Sequence, residues 1–60
     1  MKTFIYNFNG TTYETTKAFD DTYRAMKKEA VENGEPFTRQ IVCGEKITNQ
    51  HYSNGIWLDD

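Results

Sequence analysis

Cysteine and proline each occur once in these 60 residues. A lone Cys43 excludes an internal disulfide. A lone Pro36 leaves no Pro-rich linker, and no low-complexity tract or repeat divides the chain, so residues 1–60 read as a single domain. No apolar run approaches the ~20 residues of a membrane-spanning helix. Charge of one sign is also scarce. Seven Lys and Arg stand against nine Asp and Glu, a formal net charge of -2 and a pI near 5.2. That balance argues against a nucleic-acid binder held by a basic face. It equally lacks the dense acidic surface by which an inhibitor mimics a nucleic-acid backbone, so the acidic-inhibitor reading stands last.

Aromatic rings are abundant, at 15% of residues. A domain of this size buries only about 60% of the surface its unfolded chain exposes, so it needs large side chains, a metal, a disulfide or a second subunit. Phe4, Tyr6, Phe8, Tyr13, Phe19, Tyr23, Phe37, Tyr52 and Trp57 supply the first of these, each able to bury ~150–250 Å². A homodimer stays open. Residues Met1 to Tyr6 carry one positive charge, and Asn7 and Asn9 interrupt any apolar core of the kind that opens a signal peptide. With the lone cysteine, this leads us to expect a reducing, cytoplasmic setting and no membrane association.

Glycine marks the boundaries. Asn9-Gly10 is the signature of a two-residue type I′ hairpin, which needs positive φ at both central positions. It pairs Phe8 with Thr11, Tyr6 with Tyr13 and Phe4 with Thr15 on one face, which places the apolar side of the hairpin inward. A helix is expected from Lys17 to Asn33 with Thr16 as N-cap. Its apolar stripe runs Phe19, Tyr23, Met26, Ala30, and Asp20–Arg24 and Lys28–Glu32 are spaced as ion pairs. Gly34 fits a left-handed C-terminal cap, and Pro36 blocks continuation. Strands Phe37–Cys43 and Lys46–Tyr52 then flank Gly44-Glu45, a type II′ turn. Ser53-Asn54-Gly55 reverses the chain again before Ile56-Trp57-Leu58. The expected fold is α+β, ββαββ(β): an antiparallel-rich sheet with one helix packed across one face.

The C-terminal strands leave the core face open. Phe37, Arg39, Ile41, Cys43, Tyr52 and Trp57 share one side; Val42, Ile47, His51, Ile56 and Leu58 share the other. Burying Phe37, Ile41, Tyr52 and Trp57 removes more area from water, so that side is favoured as core. The other side then becomes an apolar surface free for a partner.

Reactive chemistry finds little support. Cys43 and His51 suggest a nucleophile and base, but the hairpin register puts them on opposite faces with no group to orient the imidazole. One Cys and one His do not make a metal site. Asp20 and Asp21, adjacent on a helix, diverge by about 100°. They read as favourable charge at a helix N-terminus. No phosphate loop, dinucleotide fingerprint or HExxH motif occurs. We therefore expect no catalytic residues, no metal and no cofactor.

The order of an Asn9-Gly10 hairpin, a helix ending Glu32-Asn33-Gly34 and a second hairpin resembles the ββαββ plan of the small immunoglobulin-binding β-grasp domains. None of their binding residues maps onto this chain, the first turn here is tighter, and Ser53-Asn54-Gly55 adds a reversal. The resemblance implies a plan of elements and no function.

The first functional expectation is a non-enzymatic protein-interaction module, acting through a sheet edge or an apolar sheet face on a protein partner, a second copy of itself included. Short, acidic chains of this kind are typical accessory proteins of phages and mobile elements. The alternative is a ligand or single-stranded nucleic-acid binder that uses Phe37, Arg39, Tyr52 and Trp57 as a stacking face. The excess of acids over bases weighs against nucleic acid.

Overall fold

The computed structural model describes residues 2–60. The elements are β1 (Lys2–Phe8), β2 (Thr11–Thr15), α1 (Asp21–Asn33), β3 (Phe37–Cys43), β4 (Lys46–Ser53) and β5 (Ile56–Asp59). They form one five-stranded sheet in the order β2-β1-β3-β4-β5, and every pairing is antiparallel. The α+β plan of ββαββ with a third C-terminal strand is the observed one. β2 and β3 both run against β1, so they are parallel to each other with β1 between them. The helix carries the chain across β1 from one side to the other, and the element order matches the ββαββ plan.

Three two-residue turns set the registers. Asn9 and Gly10 have φ of 48° and 80°, and Asn54 and Gly55 have 51° and 86°. Both pairs meet the type I′ requirement, and asparagine is the side chain that best tolerates it. Gly44 alone is positive in its turn, at 64°, as a type II′ turn demands. The first hairpin accordingly pairs Phe4 with Thr15, Tyr6 with Tyr13 and Phe8 with Thr11.

The helix is shorter than its apolar spacing predicts, and its cap is Asp20, not Thr16. Asp20 has extended backbone, and its side chain accepts the Tyr23 N–H at 2.8 Å. The same carboxylate accepts the Tyr13 hydroxyl at 2.6 Å and the Thr15 hydroxyl at 3.0 Å. Three donors converge on one acid, whereas Thr16 offers one weaker acceptor. Residues 16–20 are consequently a turn. Phe19 falls outside the helix and is 69% exposed, touching only the edge of Tyr23. The expected Asp20–Arg24 pair is replaced by an exposed Asp21–Arg24 contact at 3.0 Å, which contributes little. At the other end Gly34 has φ 66°, and the Gly34 and Glu35 N–H groups donate to Val31 and Ala30. That is the Schellman arrangement.

The core lies between α1 and the central strands β1 and β3 of the sheet. Tyr6, Phe8, Tyr23, Ala30 and Phe37 are buried, with Phe4, Tyr13, Met26, Tyr52 and Trp57 packed around them. Tyr6 is 0% exposed. Its ring lies 4.9 Å from Tyr23, 5.8 Å from Phe37 and 6.0 Å from Trp57. Separations of this kind favour offset and tilted ring pairs. The favoured side of the C-terminal strands is the one beneath the helix. Ile41, placed with the core by its spacing, is only half-buried, because α1 does not reach that end of β3.

Two predictions follow from the ends of this core. The Tyr6 hydroxyl is buried without a hydrogen-bond partner. Burial pushes the phenol above the usual tyrosine range, and the nearby Arg39 guanidinium offsets part of that rise without reaching hydrogen-bonding geometry. An unpartnered buried hydroxyl costs more than it returns, so Y6F is expected to raise the unfolding free energy, read from a denaturant titration, by about 1 kcal/mol. A loss of similar size would show the hydroxyl to be partnered. Asp20 supplies the second. The hydrogen bond from Tyr13, then those from the Tyr23 N–H and Thr15, hold its carboxyl below the usual aspartate range. Its contribution is therefore present above the unfolded value of about 3.9 and is lost as pH falls through the lower folded value. D20N keeps a capping side chain without the charge. Its stability should decline less than that of the wild type between about pH 5 and 2; parallel acid titrations would refute the assignment.

Candidate functional site

The four residues singled out by the sequence come together at one place, on the helix side of β3, β4 and β5. The Phe37 ring lies 6.1 Å from that of Tyr52, and Tyr52 pairs with Trp57 across β4 and β5. The Tyr52 and Trp57 rings are 5.2 Å apart and Phe37 lies 5.0 Å from Trp57. Their availability differs. Phe37 is 3% exposed and serves as core. Tyr52 and Trp57 are half-buried at the rim. The Trp57 indole N–H donates to the Tyr23 hydroxyl at 3.1 Å, which fastens β5 to the helix.

Arg39 occupies the remaining ring face. Its guanidinium carbon lies 4.2 Å from the Trp57 ring centroid and 5.6 Å from that of Phe4. Its Nε donates to Gln50 Oε1 at 2.8 Å, and Gln50 Nε2 donates to Asp59 Oδ1 at 2.6 Å. A ladder of polar groups thus crosses β3, β4 and β5. A planar cation stacked between rings is the arrangement that a bound base would otherwise occupy. Here the protein fills its own stacking site, and Tyr52 is left as the ring with free edge.

Beyond Arg39, toward the open end of the same face, a shallow hollow of about 340 Å³ is lined by Lys2, Ile41, Cys43, Lys46, Thr48, Gln50 and Asp59. A second concavity of about 450 Å³ lies between the C-terminal end of α1 and the β4–β5 turn. Cys43 is exposed and stands opposite Lys46; His51 faces the other way, paired with Thr38 and bonded through Nδ1 to Asp60. The two do not meet. Among the described residues no three His, Cys, Asp or Glu side chains are grouped as metal ligands, and no helix is long and apolar enough to cross a membrane.

The opposite face of the sheet has no covering element. It carries Thr3, Ile5 and Asn7 of β1, Thr12 and Glu14 of β2, Thr38, Gln40 and Val42 of β3, Ile47, Asn49, His51 and Ser53 of β4, and Ile56 and Leu58 of β5. Formal charge appears only at its margins, on Glu14 and on Asp60 beyond β5, although 27% of the chain is charged. Two apolar corners, Val42 with Ile47 and Ile56 with Leu58, flank a neutral row in which Gln40 donates to Asn49 at 3.0 Å. Ile47 is 59% and Ile56 57% exposed. The sequence marked Val42, Ile47, His51, Ile56 and Leu58 as one side. The near absence of charge across all five strands emerges only once the strand order brings β1 and β2 into the same surface.

Compared with protein-family models, with curated proteins and with solved structures, the chain matches none.

Replacing Arg39 with lysine retains the charge but loses the plane that stacks on Trp57. R39K is expected to cost about 1 kcal/mol of stability and to change the emission of Trp57, the sole tryptophan. Unaltered emission with unaltered stability would mean the stack contributes nothing.

Proposed function

We propose that this chain is a non-enzymatic protein-interaction module that docks through the uncovered face of its sheet. The observation that carries this reading is the distribution of charge on that face. Interface centres are depleted of charged residues relative to other surface. A solvated sheet face is ordinarily filled with Lys and Glu. Here both apolar corners and the amide row between them are neutral. A partner seated on these groups meets ionised carboxylates only at the margins, at Glu14 and at Asp60 beside His51, and the partner surface that fits is largely neutral and apolar.

The face is favoured over the edges. β5 offers four residues and β2 five, and β5 ends at Asp59 with Asp60 following, charges that oppose addition of another strand. The stacking face at Arg39, Tyr52 and Trp57 is the weaker reading, because Arg39 already covers Trp57. An exposed, unpaired Cys43 supports a reducing, cytoplasmic setting. The same face can receive a second copy, since two neutral surfaces meet without repulsion.

Two substitutions test the surface. I47K and I56K place cations on both apolar corners without touching the ring core, and V31K puts one on the exposed side of the helix. Sedimentation from micromolar to millimolar concentration reads self-association, and retention on the immobilised chain reads other partners. Association abolished in I47K/I56K and kept in V31K supports the face. Equal association of all three, or a chain that is strictly monomeric and retains nothing, overturns it.

A further inference from the structure

The helix leaves one end of its own sheet face uncovered, and that end carries the opposite charge to the chain as a whole. Cys43 lies between Lys2 on one side and Lys46 on the other, each directly opposite it in the strand register. All three stand on the helix side of the sheet. Both lysines are exposed, and among the described residues neither forms an ion pair. They are two strand spacings apart, about 10 Å, so their flexible stems can bring both ammonium groups to one point between them. Ile41 and Thr48, paired with each other and half-buried, come next along β3 and β4. With Gln50 and Asp59, these residues line the hollow of about 340 Å³, a volume within the range of small-molecule sites. Arg39, over the Phe4 ring at 5.6 Å, adds a third cation behind the hollow. The one acid, Asp59, stands opposite Gln50 and accepts its amide N–H at 2.6 Å. Gln50 is four residues along β4 from Lys46, roughly 13 Å. That separation exceeds the ~8 Å over which exposed charges are felt at physiological salt.

We propose that this hollow binds a small phosphomonoester: a dianionic phosphate on a short apolar stem. The phosphate sits between Lys2 and Lys46, whose ammonium groups donate to its oxygens. The stem lies over Ile41, beside the Thr48 hydroxyl. Charge selects the ligand class. Two ammonium groups meet two negative charges, because the second phosphate proton leaves at about pH 6. A carboxylate brings a single charge, a cation is repelled, and a neutral alcohol leaves both ammonium groups unpaired. The ligand chemistry has two sources, a free phosphate ester or a phosphorylated side chain of a protein. The hollow lies on the opposite side of the sheet from the docking face, so neither reading rests on the other.

Cys43 is the sole thiol and lines the hollow, so its alkylation by neutral iodoacetamide reports occupancy. n-Butyl phosphate at neutral pH is expected to slow that alkylation saturably and to shift the backbone amide resonances of Lys46 and Thr48 with the same midpoint. n-Butanol, and sodium chloride at equal ionic strength, should do neither. In K2Q/K46Q the affinity should fall about tenfold, the loss of two solvent-exposed charge contacts. K28Q, which removes an exposed lysine of α1, should retain it. Acetyl-phosphoserine-methylamide distinguishes the sources: tighter binding than the butyl ester points to a protein chain, and weaker binding to a free ester. Affinity unchanged in K2Q/K46Q, an equal loss in K28Q, or protection by n-butanol as strong as that by the ester would overturn the proposal.

Discussion

The structure depends on the complete burial of one ring, that of Tyr6, at the middle of the sheet. Among the described residues no other side chain is so fully removed from water. Rings from β1, α1, β3 and β5 pack against it, so four elements that are distant in sequence share a single contact. A chain of 60 residues has too little volume for a second such centre. The helix must therefore lie over the Tyr6, Phe8 and Phe37 side chains, leaving the Lys2 and Cys43 ends of β1 and β3 shallow and the whole of the other face bare.

Polar contacts reinforce the position of the helix without adding to its burial. Asp20 ties its beginning to Tyr13 and Thr15 of β2, and Tyr23 ties its first turn to Trp57 of β5. The two edge strands, which have only one neighbour each in the sheet, are thereby anchored to the same helical turn. Arg39 completes the set by closing the ring cluster on the side that the helix does not cover.

Much of this was legible in local chemistry. Asn9-Gly10, Gly44-Glu45 and Asn54-Gly55 have conformational requirements that few other pairs satisfy, so the hairpin registers followed from the turns. The large rings on one side of β3 to β5 likewise identified the core. The helix start was not legible by the same means. Phe19 has the right spacing for the stripe, but Asp20 gains more from Tyr13 and Thr15, residues brought close only by the first hairpin. The stacking cluster was half legible. Phe37, Arg39, Tyr52 and Trp57 do assemble, yet periodicity could not show that Arg39 would take the ring face for itself or that Phe37 would be sealed beneath it.

The central place of β1 has a consequence for biosynthesis. Within these 60 residues β1 precedes both of its sheet neighbours, β2 by two residues and β3 by nearly thirty. A two-strand ribbon is marginal in water, and the ring that closes over Tyr6 from β5 follows every other element in the chain order. Tyr6 thus lacks most of its shelter until the segment through β5 has been made.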